Sequence, residues 1–166
     1  MLNKSKFKKF VKDGVKNVLM FDTSKGWIID GYAMYSLKDG MTHEVLYDVL
    51  QIEDVASFRN GVQTSDDIIK FEKIIEYDHM DAPEITITPF VGDSGKHSVR
   101  IFVDKNGENR LCQQKYLDVL GDFYNYKFTQ FKTVSPIYVW EKESLIALIL
   151  PIRPDEDRKY EITILN

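Results

Sequence analysis

Several groups of residues in this chain have the types that chemistry requires, and their spacing decides what each can do. His43, His79 and His97 are the three histidines. They lie too far apart to form the His-Glu-x-x-His pattern, in which two imidazoles one helical turn apart hold a metal. Asp78-His79-Met80-Asp81 places two carboxylates around an imidazole, which is part of a metal shell and also the ordinary make-up of a polar loop. Asp66-Asp67 reads as the acidic first turn of a helix, favoured by the helix dipole. Gly92-Asp93-Ser94-Gly95-Lys96 has the residue types of a phosphate cradle but not the P-loop spacing, and it falls in a hairpin turn rather than before a helix. Cys112 is the single cysteine, so neither an intrachain disulfide nor an all-cysteine zinc site can form. A helix start beside it would lower its thiol pKa, yet no histidine is placed to activate it, which favours a structural thiol. These residues compose no catalytic constellation. The expectation is a protein without enzymatic activity, metal or cofactor.

The remaining chemistry is electrostatic. Lys6, Lys8, Lys9, Lys12 and Lys16 crowd the first predicted helix, and Lys115 stands on the second. Ammonium groups on one face neutralise phosphates and release counterions, giving affinity for duplex DNA without sequence preference. The same lysines also suit an ordinary solvated helix face, and both readings stand. The whole chain carries a net charge of −4, so any contact with nucleic acid must come from a local basic face.

The elements that position these groups follow from periodicity. Phe7, Phe10, Val11 and Val15 recur at helical spacing, predicting a helix over 6–15 capped by Ser5. Strands are predicted over 18–21 and 27–35, joined by the turn Asp22-Thr23-Ser24-Lys25-Gly26. Thr42 is placed to cap a short helix around 44–50. Ser65-Asp66-Asp67 opens either a helix burying Ile68, Phe71, Ile74 and Ile75, or a loop leading to a strand over 73–77. Alternation predicts strands over 84–91, with Pro89 at an edge or bulge, and over 98–103. Asp104-Lys105-Asn106-Gly107 is a hairpin signal that leads into extended chain over 109–112. A helix over 113–123 follows, then strands over 126–131, 137–141, 145–152 and 160–165. At 166 residues, 43% hydrophobic and 13% aromatic, the chain can bury one sizeable core. The class is α+β, in one domain spanning 1–166. No apolar run has membrane-spanning length and no signal-peptide core is present, so the expected location is cytoplasmic, with no membrane partner.

Several segments, in order, resemble a domain of the bacterial sliding clamp, the processivity ring of DNA replication. Ile29-Asp30-Gly31-Tyr32-Ala33-Met34 is similar to the clamp strand that ends in Thr-Asp-Gly-aromatic-Arg-Leu. Lys115-Tyr116-Leu117-Asp118-Val119-Leu120 resembles the family's Tyr-Leu-Leu-Asp-Val-Leu helix. Ser135-Pro136-Ile137 and Leu150-Pro151-Ile152-Arg153 resemble its Ser-Pro strand and its Met-Pro-Met-Arg-Leu end. The agreement covers about half of the chain.

The resemblance implies two helices packed side by side on antiparallel sheets and facing DNA. It also implies a peptide-binding groove at Gly31, Tyr32, Met34, Leu150, Pro151, Ile152 and Arg153, although core packing explains the same apolar residues. Exposed sheet edges imply a homo-oligomer, and the partners implied are duplex DNA and proteins of DNA metabolism. Four departures stand beside it, the first being that the chain continues past Arg153, where the family's chain ends. Residues 39–83 form an insertion, Ala33 replaces the family's arginine, and one domain is present where a clamp subunit has three. The alternative expectation is an interaction or structural module of a phage or mobile element that binds no DNA.

Overall fold

Helix α1, Lys4–Lys16, begins where Asn3 supplies its cap. The Asn3 side-chain oxygen accepts the Lys6 N–H at 3.1 Å and the Ser5 hydroxyl at 2.9 Å, while its carbonyl accepts the Phe7 N–H at 2.8 Å. Asn3 thus takes the position assigned above to Ser5, because its amide oxygen reaches an orphan N–H of the first turn. The periodic stripe does what its spacing predicts. Phe7, Phe10 and Val11 are buried, while Lys4, Lys6, Lys9 and Lys12 stay exposed. Burial of each such apolar side chain contributes about 1.5–3 kcal/mol. The structure, a computed structural model, describes residues 2–16, 20–22, 26–36, 44, 45, 48, 81–93, 95, 97–153 and 160–164, with backbone alone at 15, 16 and 20–22.

After α1 come strands β1 (Met20–Asp22), β2 (Trp27–Ile29) and β3 (Ala33–Ser36). The stretch expected as one strand over 27–35 is therefore a hairpin. Asp30 folds it: its Oδ1 accepts the Tyr32 and Ala33 N–H groups at 2.9 and 2.8 Å, and its own N–H donates to the Ala33 carbonyl at 3.1 Å. Gly31 sits at φ +90°, a conformation that glycine adopts without the penalty a side chain brings. The apolar residues on both sides hide this turn from a hydropathy reading.

Strands β4 (Glu84–Asp93), β5 (Ser98–Val103) and β6 (Asn109–Gln113) form a meander. A register shift between Ile87 and Val91 marks the bulge expected at Pro89, which has no N–H to place in a ladder. Thr88 compensates there, its hydroxyl donating to the Ile101 carbonyl at 2.7 Å and accepting the Phe90 N–H at 3.2 Å.

Helix α2 covers only Gln114–Asp118, not the whole of 113–123. Beyond it the Leu120 and Gly121 N–H groups reach back three residues, Gly121 turns at φ +71°, and Phe123–Asn125 forms a 3-10 turn. Val119 and Leu120 are buried all the same. Strands β7 (Lys127–Thr129), β8 (Ile137–Glu141) and β9 (Ser144–Ile149) follow, and β10 (Glu161–Ile164) pairs with β4. Of the insertion, Glu44, Val45 and Asp48 have helical backbone. The expectations for Thr42 and for 65–77 lie outside the described residues.

All described strand pairs are antiparallel, in the order β1-β2-β3-β9-β8-β7-β4-β5-β6. This confirms a mostly-sheet α+β architecture. Within it α1-β1-β2-β3 and α2-β7-β8-β9 are two αβββ units whose last strands meet, with Ala33 opposite Ile149 and Tyr35 opposite Ala147. The seam between β3 and β9 is thus a local two-fold in topology. One sheet face carries Ile28, Ala33, Tyr35, Ile137, Val139, Ala147 and Ile149 in the same core as both helices, and the other carries Trp27, Ile29, Met34, Tyr138, Trp140 and Leu148. The helices lie side by side on the first face. The Asn3 N–H donates to the Val119 carbonyl at 2.8 Å, and the Phe10 and Tyr116 rings meet edge-on at 6.5 Å.

Candidate functional site

The helix pair carries the lysines singled out from the sequence, and the structure divides them. Lys4 and Lys8, one helical turn apart on α1, face Glu44 and Asp48, also one turn apart, at 2.8 and 3.3 Å. Lys6 lies 3.8 Å from Asp118 of α2. Each of these exposed pairs contributes little to stability, about 0–1 kcal/mol. Their larger effect is to cancel positive potential where a polyanion would approach. Lys8 is therefore set apart from the proposed phosphate contacts. Lys9 and Lys12 are exposed with no carboxylate in ion-pair range among the described residues, and Lys115 lies over the Tyr116 ring at 4.6 Å. The Lys16 side chain is outside the described residues.

Between α1, α2 and the β2–β3 turn lies a cleft of about 130 Å³. Helix α1 contributes Lys6, Lys9, Phe10 and Asp13, the turn contributes Asp30, and Lys115, Tyr116, Asp118 and Val119 come from α2 and the turn after it. Its polar lining is balanced between ammonium and carboxylate groups. At the cleft the Tyr116 side chain is 3% exposed, and its hydroxyl has no hydrogen-bond partner. It faces the Asp30 carboxylate without reaching hydrogen-bond geometry. Burial, then the Asp30 charge, pushes the Tyr116 phenol well above the usual tyrosine range, so it stays a donor. Leaving a buried hydroxyl unpaired costs about 1–3 kcal/mol. Tyr35 contrasts with it, since its hydroxyl donates to the Tyr116 carbonyl at 2.8 Å and its pKa is also raised, chiefly by burial.

The residues of the expected peptide groove separate. Gly31 and Tyr32 form the β2–β3 turn, and the Leu150 N–H donates to the Tyr32 carbonyl at 2.8 Å, which brings the start of the C-terminal segment against that turn. Pro151 and Ile152 are half-buried, Arg153 is exposed, and the Ile152 N–H reaches the Leu111 carbonyl at 2.8 Å. Met34 does not belong with them. At 2% exposure it packs in the core of the opposite sheet face, because a period of two turns it away from the helices.

Elsewhere the structure agrees with the reading of Cys112 as a structural thiol. The residue ends up in β6, just before α2, and complete burial raises its thiol pKa. Asp93 closes the β4–β5 turn, accepting the Gly95 N–H at 2.7 Å and the Ser98 hydroxyl at 3.2 Å, as a hairpin requires and a P-loop does not. Asp81 is an exposed turn residue, whereas Asp66, Asp67, His43, Asp78, His79 and Met80 are outside the described residues. Among the described residues, no group of three or more His, Cys, Asp or Glu is placed to hold a metal, and no helix is long and apolar enough to cross a membrane.

Sequence reasoning missed Arg100. It is wholly buried in β5, with Nε donating to Gln114 Oε1 at 2.7 Å and Nη1 to the Thr88 carbonyl at 3.0 Å and Tyr124 Oη at 3.3 Å. The guanidinium carbon lies 4.9 Å from the centre of the Phe123 ring, and Gln114 passes the network on to Asp118 at 2.6 Å. The signal was present, since alternation in Ser98–Val103 puts Arg100 on the inward side with Phe102. Arg100 ties the β4 bulge, β5 and α2 together beneath the helical face. Compared with known proteins, the chain matches no family model, no curated protein and no solved structure.

Proposed function

We propose that this chain is a non-catalytic, sliding-clamp-like protein of DNA metabolism that turns its two helices toward duplex DNA. The observation that carries the reading is the placement of α1 and α2 side by side on one face of an antiparallel sheet, each leading an αβββ unit. The resemblance implies such a helix pair on antiparallel sheet. Lys9, Lys12 and Lys115 supply the contact. Non-specific phosphate contacts suit a protein that moves along DNA, because base-specific contacts would arrest it. The turn at Gly31 and Tyr32, with Leu150, Pro151, Ile152 and Arg153 behind it, is the surface for partner peptides.

Retention on circular or end-blocked duplex at low salt tests the DNA role. The triple variant Lys9→Glu, Lys12→Glu, Lys115→Glu keeps its circular dichroism spectrum and loses retention. No retention of the unaltered protein on any duplex sinks the DNA reading.

A second reading has its own observation. Lys4, Lys6 and Lys8 are matched by Glu44, Asp118 and Asp48, so much of the helical face is electrically balanced. A balanced face suits a protein partner, as in an interaction module. Self-association belongs with either reading. All four residues of β10 are exposed, including Ile162 and Ile164, at a sheet margin where another strand could pair. Light scattering showing a strict monomer at high concentration removes it.

A further inference from the structure

The cleft between the two helices has the build of a small-molecule site, and it shares Lys9 and Lys115 with the proposed phosphate contacts. Three features define it. The Tyr116 hydroxyl is buried, has no hydrogen-bond partner and lies against the Asp30 carboxylate. Asp30 uses Oδ1 for the Tyr32 and Ala33 N–H groups, and its Oδ2 takes no hydrogen bond among the described residues. Lys9 has no carboxylate partner among the described residues, and Lys115 has only the Tyr116 ring beneath it. Lys6 and Asp118, which meet at 3.8 Å, cancel each other. What remains in the lining is the carboxylates of Asp13 and Asp30 with the Tyr116 oxygen, and the ammonium groups of Lys9 and Lys115. Phe10 and Val119 give the walls an apolar surface.

We infer that this cleft binds a free amino acid or a zwitterion of that class. The ligand ammonium donates to Asp30 Oδ2 and to Tyr116 Oη, and the ligand carboxylate lies between Lys9 and Lys115. A simple anion is disfavoured, because it would sit against Asp30. A simple cation is disfavoured, because it would meet the ammonium groups of Lys9 and Lys115, which have no carboxylate in ion-pair range among the described residues. A cavity of about 130 Å³ admits a single residue but no folded partner. Lys115 is exposed, so it can leave the Tyr116 ring for the ligand carboxylate.

The test is thermal shift followed by calorimetry on the full chain with each of the common amino acids at millimolar concentration. Sodium acetate, methylammonium chloride and sodium chloride at matched ionic strength serve as the half-ligand and salt controls. One or more amino acids should raise Tm saturably while none of the controls does. Tyr116→Phe keeps the ring and removes only the unpartnered hydroxyl. It should leave the unliganded Tm unchanged or higher and weaken binding by about tenfold, the loss of a hydrogen bond to a charged group. Lys9→Ala should weaken binding without altering the fold. The inference fails if no amino acid gives a saturable shift, if acetate or methylammonium alone reproduces it, or if Tyr116→Phe binds as tightly as the unaltered protein.

Discussion

If Lys9, Lys12 and Lys115 are the groups that meet phosphate, the salt dependence of duplex binding is fixed by their number. Each neutralised phosphate lowers the logarithm of affinity by about 0.9 per tenfold rise in salt, so three contacts give a slope of about −2.7. A fourfold rise in salt then weakens binding about 40-fold. If Lys4, Lys6 and Lys8 also broke their pairs with Glu44, Asp118 and Asp48, six contacts would double the slope to about −5.4, and the same change would cost more than about a thousandfold. Fluorescence anisotropy on an end-blocked duplex across a salt series separates these cases. Replacing any one of Lys9, Lys12 or Lys115 by Gln should make the slope shallower by about 0.9, whereas Lys8→Gln should leave it unchanged, because Lys8 already faces Asp48 at 3.3 Å. A slope near −5 in the unaltered protein, or an equal loss from Lys8→Gln, refutes the assignment of contacts from ion pairing.

Other expectations follow from burial and titration. Phe7→Ala should destabilise the fold by about 3–5 kcal/mol in denaturant melts, since a wholly buried ring leaves a cavity beneath α1. Arg100→Lys should cost about 1–3 kcal/mol, because an ammonium cannot keep Gln114, Thr88 and Tyr124 bonded together, and unchanged stability would dismiss the network. The pKa of Tyr35 is raised on folding, so its contribution is complete below the unfolded value near 10 and declines as pH rises above it. Tyr35→Phe should therefore flatten the alkaline fall in Tm, and an unaltered alkaline limb would contradict this. Asp104 has the opposite sign: the Glu108 N–H above all, with help from the Asn106 N–H and Arg110, lowers its carboxyl pKa. Its contribution is present above the unfolded value near 3.9 and is lost as pH falls through the folded value, so Asp104→Asn should lose less stability than the unaltered protein on acidification. A Cβ at Gly92 would stand 3.1 Å from the Tyr160 Cβ and from Val99 Cγ2, so Gly92→Val should release β10, seen as faster hydrogen exchange at 161–164.

What could be read from the sequence was local periodicity. Alternation over 84–91, 98–103 and 137–141 locates β4, β5 and β8 closely, and the 7-10-11 stripe of α1 names residues that the core contains. Turn chemistry was equally legible at Asp104-Lys105-Asn106-Gly107, where Asp104 Oδ1 accepts the Asn106 N–H at 2.8 Å. These features depend on neighbours in the chain, and neighbours are what a sequence displays. The hairpin at Asp30 escaped because a turn flanked by apolar strands keeps the hydropathy of a single strand. The short α2 escaped because Val119 and Leu120 are buried in turn conformation as well as they would be in a helix.

The candidate site was less legible, for a different reason. Its lysines were visible by type, but which of them remain unpaired was settled by Asp48, forty residues from Lys8 along the chain, and by Asp118 across the helix pair. Met34 matched a surface motif and went to the core, since the register of β3 against β9 decides which way it turns. The unpartnered hydroxyl of Tyr116 and the enclosed guanidinium of Arg100 depend on strands and helices brought together over long separations. Charge cancellation, facing and enclosure are properties of distances between remote residues. Composition and spacing set which groups the chain owns, and only tertiary packing decides which of them are left free to act.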